Sequence, residues 1–137
     1  MAEGDLAGIG VLVTRPAHQA AALVDAIEAE GGTAVRFPAI EIAPRDESDI
    51  ARDAASLQPP DIAIFVSVNA VRYGFDYAGS ASVAAIGPAT AAAVEAAGGT
   101  VDIRSTAGFD SMQLLAEPQM HDVAGRVVRI IRGNAGR

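Results

Sequence analysis

Asp61-Ile62-Ala63-Ile64-Phe65-Val66-Ser67-Val68-Asn69-Ala70-Val71 is the stretch that decides the fold. Ile62 to Val66 is an unbroken apolar run, too short for a helix and lacking the polar alternation of a strand with one wet face. It reads as a strand buried on both sides. Ser67 is a good helix N-cap, and the spacing after it predicts a helix from about Asn69 to Tyr77. A buried strand passing straight into a helix is the repeating unit of a parallel α/β sheet.

The same rhythm runs outward in both directions. Upstream, GIGVLVT (Gly8 to Thr14) is a β-rich run stopped by Arg15-Pro16. A helix is expected from Ala17 to Glu30, where Leu23, Ile27 and the surrounding alanines recur at helical spacing, and Gly31-Gly32 ends it. TAVRFP (Thr33 to Pro38) then supplies a second strand, and a right-handed crossover makes the pair parallel. Downstream come strands at Ser82 to Gly87, Thr100 to Arg104 and Arg126 to Gly133. Helices are expected between them at about Ala89 to Ala97 and Asp110 to Glu117. The class is α/β, with parallel sheets flanked by helices.

Between these blocks, Ala39 to Pro44 alternates apolar and polar residues, as an extended connector does. An acid-rich surface helix over Arg45 to Leu57 follows it. The connector divides the chain into Met1 to Pro38 and Ala39 to Arg137, and the first two strands are expected to stand apart from the other four. A lone βαβ piece of this size buries too little surface to fold unaided. The last strand leads into Gly133-Asn134-Ala135-Gly136-Arg137, where an α/β unit would supply a helix, so the chain is expected to be cut short.

Composition excludes several functions. The 137 residues are 50% hydrophobic, with a net charge of -7. An acidic balance argues against nucleic acid and against anionic lipid as partners. No apolar run is long enough for a membrane span, and the first ten residues lack the basic cluster of a secretory signal, so a cytoplasmic protein is expected. Cysteine is absent, which removes disulfides and thiol chemistry. All ten basic residues are arginine, so Schiff-base and P-loop chemistry are removed as well. His18 and His121 are far apart in sequence and read as surface residues.

In parallel α/β sheets ligands bind at strand carboxyl ends, where helix N-termini present free amides. Five loops qualify: Thr14 to Pro16, Ser67 to Ala70, Gly87 to Thr90, Ser105 to Ser111, and Arg132 to Asn134. Thr14, Ser67 and Asp110 also read simply as N-caps. The candidate binding residues are Arg15, Ser67, Asn69, Gly87, Thr90 and Arg132, suited to carboxylates or phosphates. Gly87 would admit close backbone approach, and Tyr73 is the one weak candidate for a general acid.

At these loops the sequence resembles the uroporphyrinogen-III synthase family. The matching elements are VLVTRP (Val11 to Pro16), RFPAIEIAP (Arg36 to Pro44), DIAIFVSVNAV (Asp61 to Val71), AAIGPATAAAVEAAG (Ala84 to Gly98) and IIRGNAGR (Ile130 to Arg137). The resemblance implies two flavodoxin-like α/β domains, the first discontinuous. Met1 to Pro38 would be the βαβ piece of that first domain, and Ala39 to Arg137 the connector plus most of the second. It implies cyclisation of hydroxymethylbilane to uroporphyrinogen III with inversion of ring D and loss of water, without metal or organic cofactor. Arg15 would then clamp a carboxylate, with Ser67, Asn69 and Thr90 as hydrogen-bond donors. A missing half would impair turnover more than binding, and the exposed incomplete domain would favour self-association. The same pattern also fits a non-catalytic α/β module that binds anions or nucleotides.

Overall fold

The structure, a computed structural model, describes residues 4–134. The chain divides into two compact units, Met1–Ala43 and Pro44–Arg137. Among the described residues six strands form two separate sheets, every pairing parallel.

The first unit pairs β1 (Gly10–Val13) with β2 (Thr33–Arg36) through the helix α1 (Ala21–Ala29). Val13 packs with Ala20, Val24 and Ile27 on one side of the pair. Gly31, at φ 79, turns the chain out of α1. Gly32 follows where a methyl would press within 2.9 Å of the Ile27 side chain, so Gly31-Gly32 serves both turn and packing. Two expectations fail at the start of the helix. Ala17–Gln19 is a separate 3-10 turn, and its N-cap is Pro16, with no side-chain capping bond. Thr14 is therefore not a cap. Proline holds the residue before it extended, so the chain cannot coil until after Pro16, beyond reach of the Thr14 hydroxyl. The face away from α1 is bare: Leu12 is 59%, Val35 50% and Phe37 63% exposed. Leu12 and Val35 are register partners, so they form one apolar strip.

The second unit is a four-stranded sheet in the order β5-β4-β3-β6. Its strands are β3 (Ile62–Phe65), β4 (Ser82–Ala85), β5 (Ile103–Arg104) and β6 (Val128–Ile131). Around it stand α2 (Glu47–Ala55), α3 (Val68–Gly74), α4 (Pro88–Ala96) and α5 (Ser111–Leu115). β3 lies at the centre and is buried along its whole length, as its unbroken apolar run requires. Its side chains alternate between two cores. Ala63 and Phe65 pack with Ala70 and Val71 of α3 and Val94 of α4. Ile62 and Ile64 pack with Ile103, Leu114 of α5 and Met120.

Two aspartates fasten the strand starts. The Asp61 carboxylate accepts from the Val127 N–H at 2.7 Å, and the Asp102 carboxylate from the Val83 N–H at 2.8 Å. The strand expected over Thr100 to Arg104 pairs only from Ile103 onward. The acid-rich segment forms α2 as a surface helix with no buried residue. Asp46 caps it, and hydrogen bonds from the Ser48 hydroxyl and amide hold its carboxyl below the ordinary 3.8. Arg45 pairs with Asp53 and Arg52 with Asp49, both on the exposed surface. No helix among the described residues is long and apolar enough to cross a membrane.

Candidate functional site

Strand order marks out a candidate edge. From β3 the chain steps outward to β4 and β5, then returns to lay β6 on the other side of β3. The order therefore reverses at β3, and the carboxyl end of such a strand is where α/β sheets bind ligands. Ser67 stands there. Its hydroxyl accepts from the Ala70 N–H at 3.1 Å and caps α3. Asn69 follows, half-buried, in the first turn of the same helix.

One strand over, Gly87 is the N-cap of α4 and Pro88 its first helical residue. α4 has no side-chain cap and no acid in its first turn, so the amides of Ala89 and Thr90 keep the positive end of the helix open. Thr90 is 5% exposed, so little of it reaches solvent. The backbone at Gly87 is extended (φ -137), and an added methyl would meet only the Phe109 Cβ at 3.8 Å. Folding alone does not require glycine there. On the far side of β3, Arg132 follows β6 and is exposed.

The fold thus brings Ser67, Asn69, Gly87, Thr90 and Arg132 to one edge of the second sheet. Tyr73 is not part of that edge. It sits on the last turn of α3, at the helix end remote from Ser67, half-buried beneath the Arg72 guanidinium at 5.4 Å. In the first unit, Arg15 directly follows the carboxyl end of β1, exposed, with no hydrogen bond or ion pair among the described residues.

Two residues at the strand edge escaped the reading of the sequence. The Ser105 hydroxyl, just past β5, is buried and has no hydrogen-bond partner among the described residues. Phe109 lies against Gly87. Their loop was legible as a site loop, but burial and the contact with Gly87 depend on strand pairing. A separate groove of about 410 Å³ runs along β6, lined by Leu57, Gln58, Val127, Val128, Arg129 and Ile130. None of the candidate residues lines it.

A family model described as uroporphyrinogen-III synthase HemD matches residues 21–137. The chain belongs to the uroporphyrinogen-III synthase family. It is 33% identical to the uroporphyrinogen-III synthase of Salmonella typhimurium and 29% identical to that of Escherichia coli. Each alignment covers 94% of this chain and 56% of the relative, so the chain spans about half the length of these synthases. Membership removes the reading of the chain as an unrelated α/β module. The edge of the second sheet carries neutral hydrogen-bonding groups and the exposed Arg132.

Proposed function

We propose that this chain carries substrate-binding elements of a uroporphyrinogen-III synthase, a cyclising lyase of tetrapyrrole (heme) biosynthesis acting in the cytoplasm. Hydroxymethylbilane would lose its terminal hydroxyl as water, invert ring D through a spiro intermediate and close to uroporphyrinogen III. The observation that carries this reading is the open strand edge in a chain of this family. It offers the α4 amides, Ser67, Asn69 and Arg132, a donor set suited to a substrate with eight carboxylates. Arg15 adds a charged donor from the first unit. Selectivity rests on holding ring D in its inverted pose, which is positioning rather than strong acid–base chemistry.

The test is turnover of hydroxymethylbilane with isomer analysis of the product. A protein containing this chain together with the remaining length of its relatives is expected to give uroporphyrinogen III, and residues 1–137 alone much less. Formation of only the uninverted isomer by the longer protein would sink the assignment.

We further infer that Met1 to Pro38 belongs to a discontinuous domain whose remaining strands cover Leu12, Val35 and Phe37. Without that cover, the bare strip and the open edges of β1 and β2 favour association between chains. Sedimentation velocity on residues 1–137 is expected to show species larger than a monomer. Replacing Leu12 and Phe37 together by serine should shift them toward monomer; a wild-type chain that stays monomeric would refute this.

A further inference from the structure

We propose that Arg36 joins Arg15 as a second arginine at the carboxyl end of the first unit's sheet, and that the two together take the pair of carboxylates carried by one pyrrole ring. The proposal rests on the tetrapyrrole reading above. It deepens that reading by naming a binding residue that the resemblance does not assign, and the feature of the substrate it would recognise.

The first observation is placement. Arg36 ends β2 and is the register partner of Val13, the last residue of β1. Paired strands lie about 4.8 Å apart, and Arg15 follows Val13 by two residues. The two spans are tied together beyond the strands as well. The Phe37 N–H donates to the Val13 carbonyl at 2.9 Å, and the Ala39 N–H to the Thr14 carbonyl at 3.1 Å. The backbones that carry Arg15 and Arg36 are therefore held side by side, within the combined reach of two arginine side chains.

The second observation is charge. Among the described residues only three arginine side chains, Arg15, Arg36 and Arg126, have no hydrogen bond, ion pair or ring contact. Two of the three stand at this one strand end, both exposed. The stretches that carry them, Val11 to Ala20 and Thr33 to Ile40, contain no acid, in a chain whose net charge is -7. Asp5 precedes β1, and Glu28 and Glu30 close α1 just before β2 begins, so these acids belong to the amino end of the strands. Glu41, further along the connector, is ion-paired with neither arginine.

Two neighbouring cations without a counter-charge repel, so folding gains nothing from this arrangement. An anion with two charges close together offsets both at once, through charge-assisted and bidentate hydrogen bonds. A substrate with eight carboxylates on four rings offers such a pair on each ring.

The experiment compares two porphyrins that differ in their carboxylates. Uroporphyrin III has two on each ring, and coproporphyrin III has one. Binding of each to the wild-type chain, Arg36→Ala and Arg126→Ala is followed by porphyrin fluorescence at low salt. Arg36→Ala is expected to weaken uroporphyrin III about tenfold or more, the scale of one charge-assisted hydrogen bond, and coproporphyrin III less than about twofold. Raising the salt should shrink the difference. Arg126→Ala, which removes the free arginine of the second unit, should leave both affinities at wild type. Melting temperatures of the three proteins should agree, because neither side chain bonds to anything in the free chain. An equal loss in Arg126→Ala would trace the effect to net charge and overturn the pair. Equal weakening of both porphyrins by Arg36→Ala overturns the assignment to two carboxylates of one ring. Wild-type affinity of Arg36→Ala for uroporphyrin III overturns the pair and leaves the tetrapyrrole reading standing. Failure of the wild-type chain to bind uroporphyrin III overturns that reading, and the pair with it.

Discussion

Phe65→Ala is expected to destabilise the second unit by about 3–5 kcal/mol, the usual cost of truncating a fully buried aromatic. Phe65 is 0% exposed at the end of β3, which is paired on both sides, with β4 and with β6. Its ring meets that of Phe75 at 6.1 Å, tilted by 36°, a geometry worth something beyond burial. The cavity cannot collapse easily. Ala63, Ala70 and Ala78 around it have no longer side chains to swing in, and Val71, Val83 and Val94 are stiff at χ1. Phe75 is itself fixed, because its ring fills the space left by the missing side chain of Gly99. Set against a total stability of about 5–15 kcal/mol for a domain, the loss would leave the unit marginal. Urea unfolding followed by circular dichroism measures it. A loss below about 1 kcal/mol would mean that this core repacks around the truncation.

Arg15→Ala is expected to leave stability unchanged and to weaken binding of uroporphyrinogen III about 10- to 100-fold at low salt. That range corresponds to the loss of one charge-assisted hydrogen bond, about 1.5–3 kcal/mol. Stability is spared because the side chain is exposed and bonds to nothing among the described residues. The difference between wild type and variant should shrink as salt rises, since an exposed arginine acts on a carboxylate through a screened field. Titrations at two ionic strengths check both points. Equal affinity of the two proteins at low salt would remove Arg15 from the site.

Much of the local structure was legible before any coordinates. The apolar run from Ile62 to Phe65, the stop at Gly31-Gly32 and the caps at Ser67 and Asp110 depend on residues within a turn or two of each other. Backbone sterics and short-range hydrogen bonding act at that range, so these features follow from the residues themselves. The exceptions have local causes too. Thr14 fails as a cap because Pro16 delays the helix, and the Asp46 cap was masked by the run of acids around it.

The sequence by itself determined the α/β class, nearly every strand, the loops that carry the candidate site, and the family resemblance that the family match bears out. Tertiary structure alone decided the strand order that reverses at β3 and the distance of Tyr73 from the strand edge. It also decided the burial of the Ser105 hydroxyl and the contact between Phe109 and Gly87. The physical reason is range. Periodicity and caps are fixed within a few residues, whereas register between strands is set by which apolar faces many residues apart can be buried together.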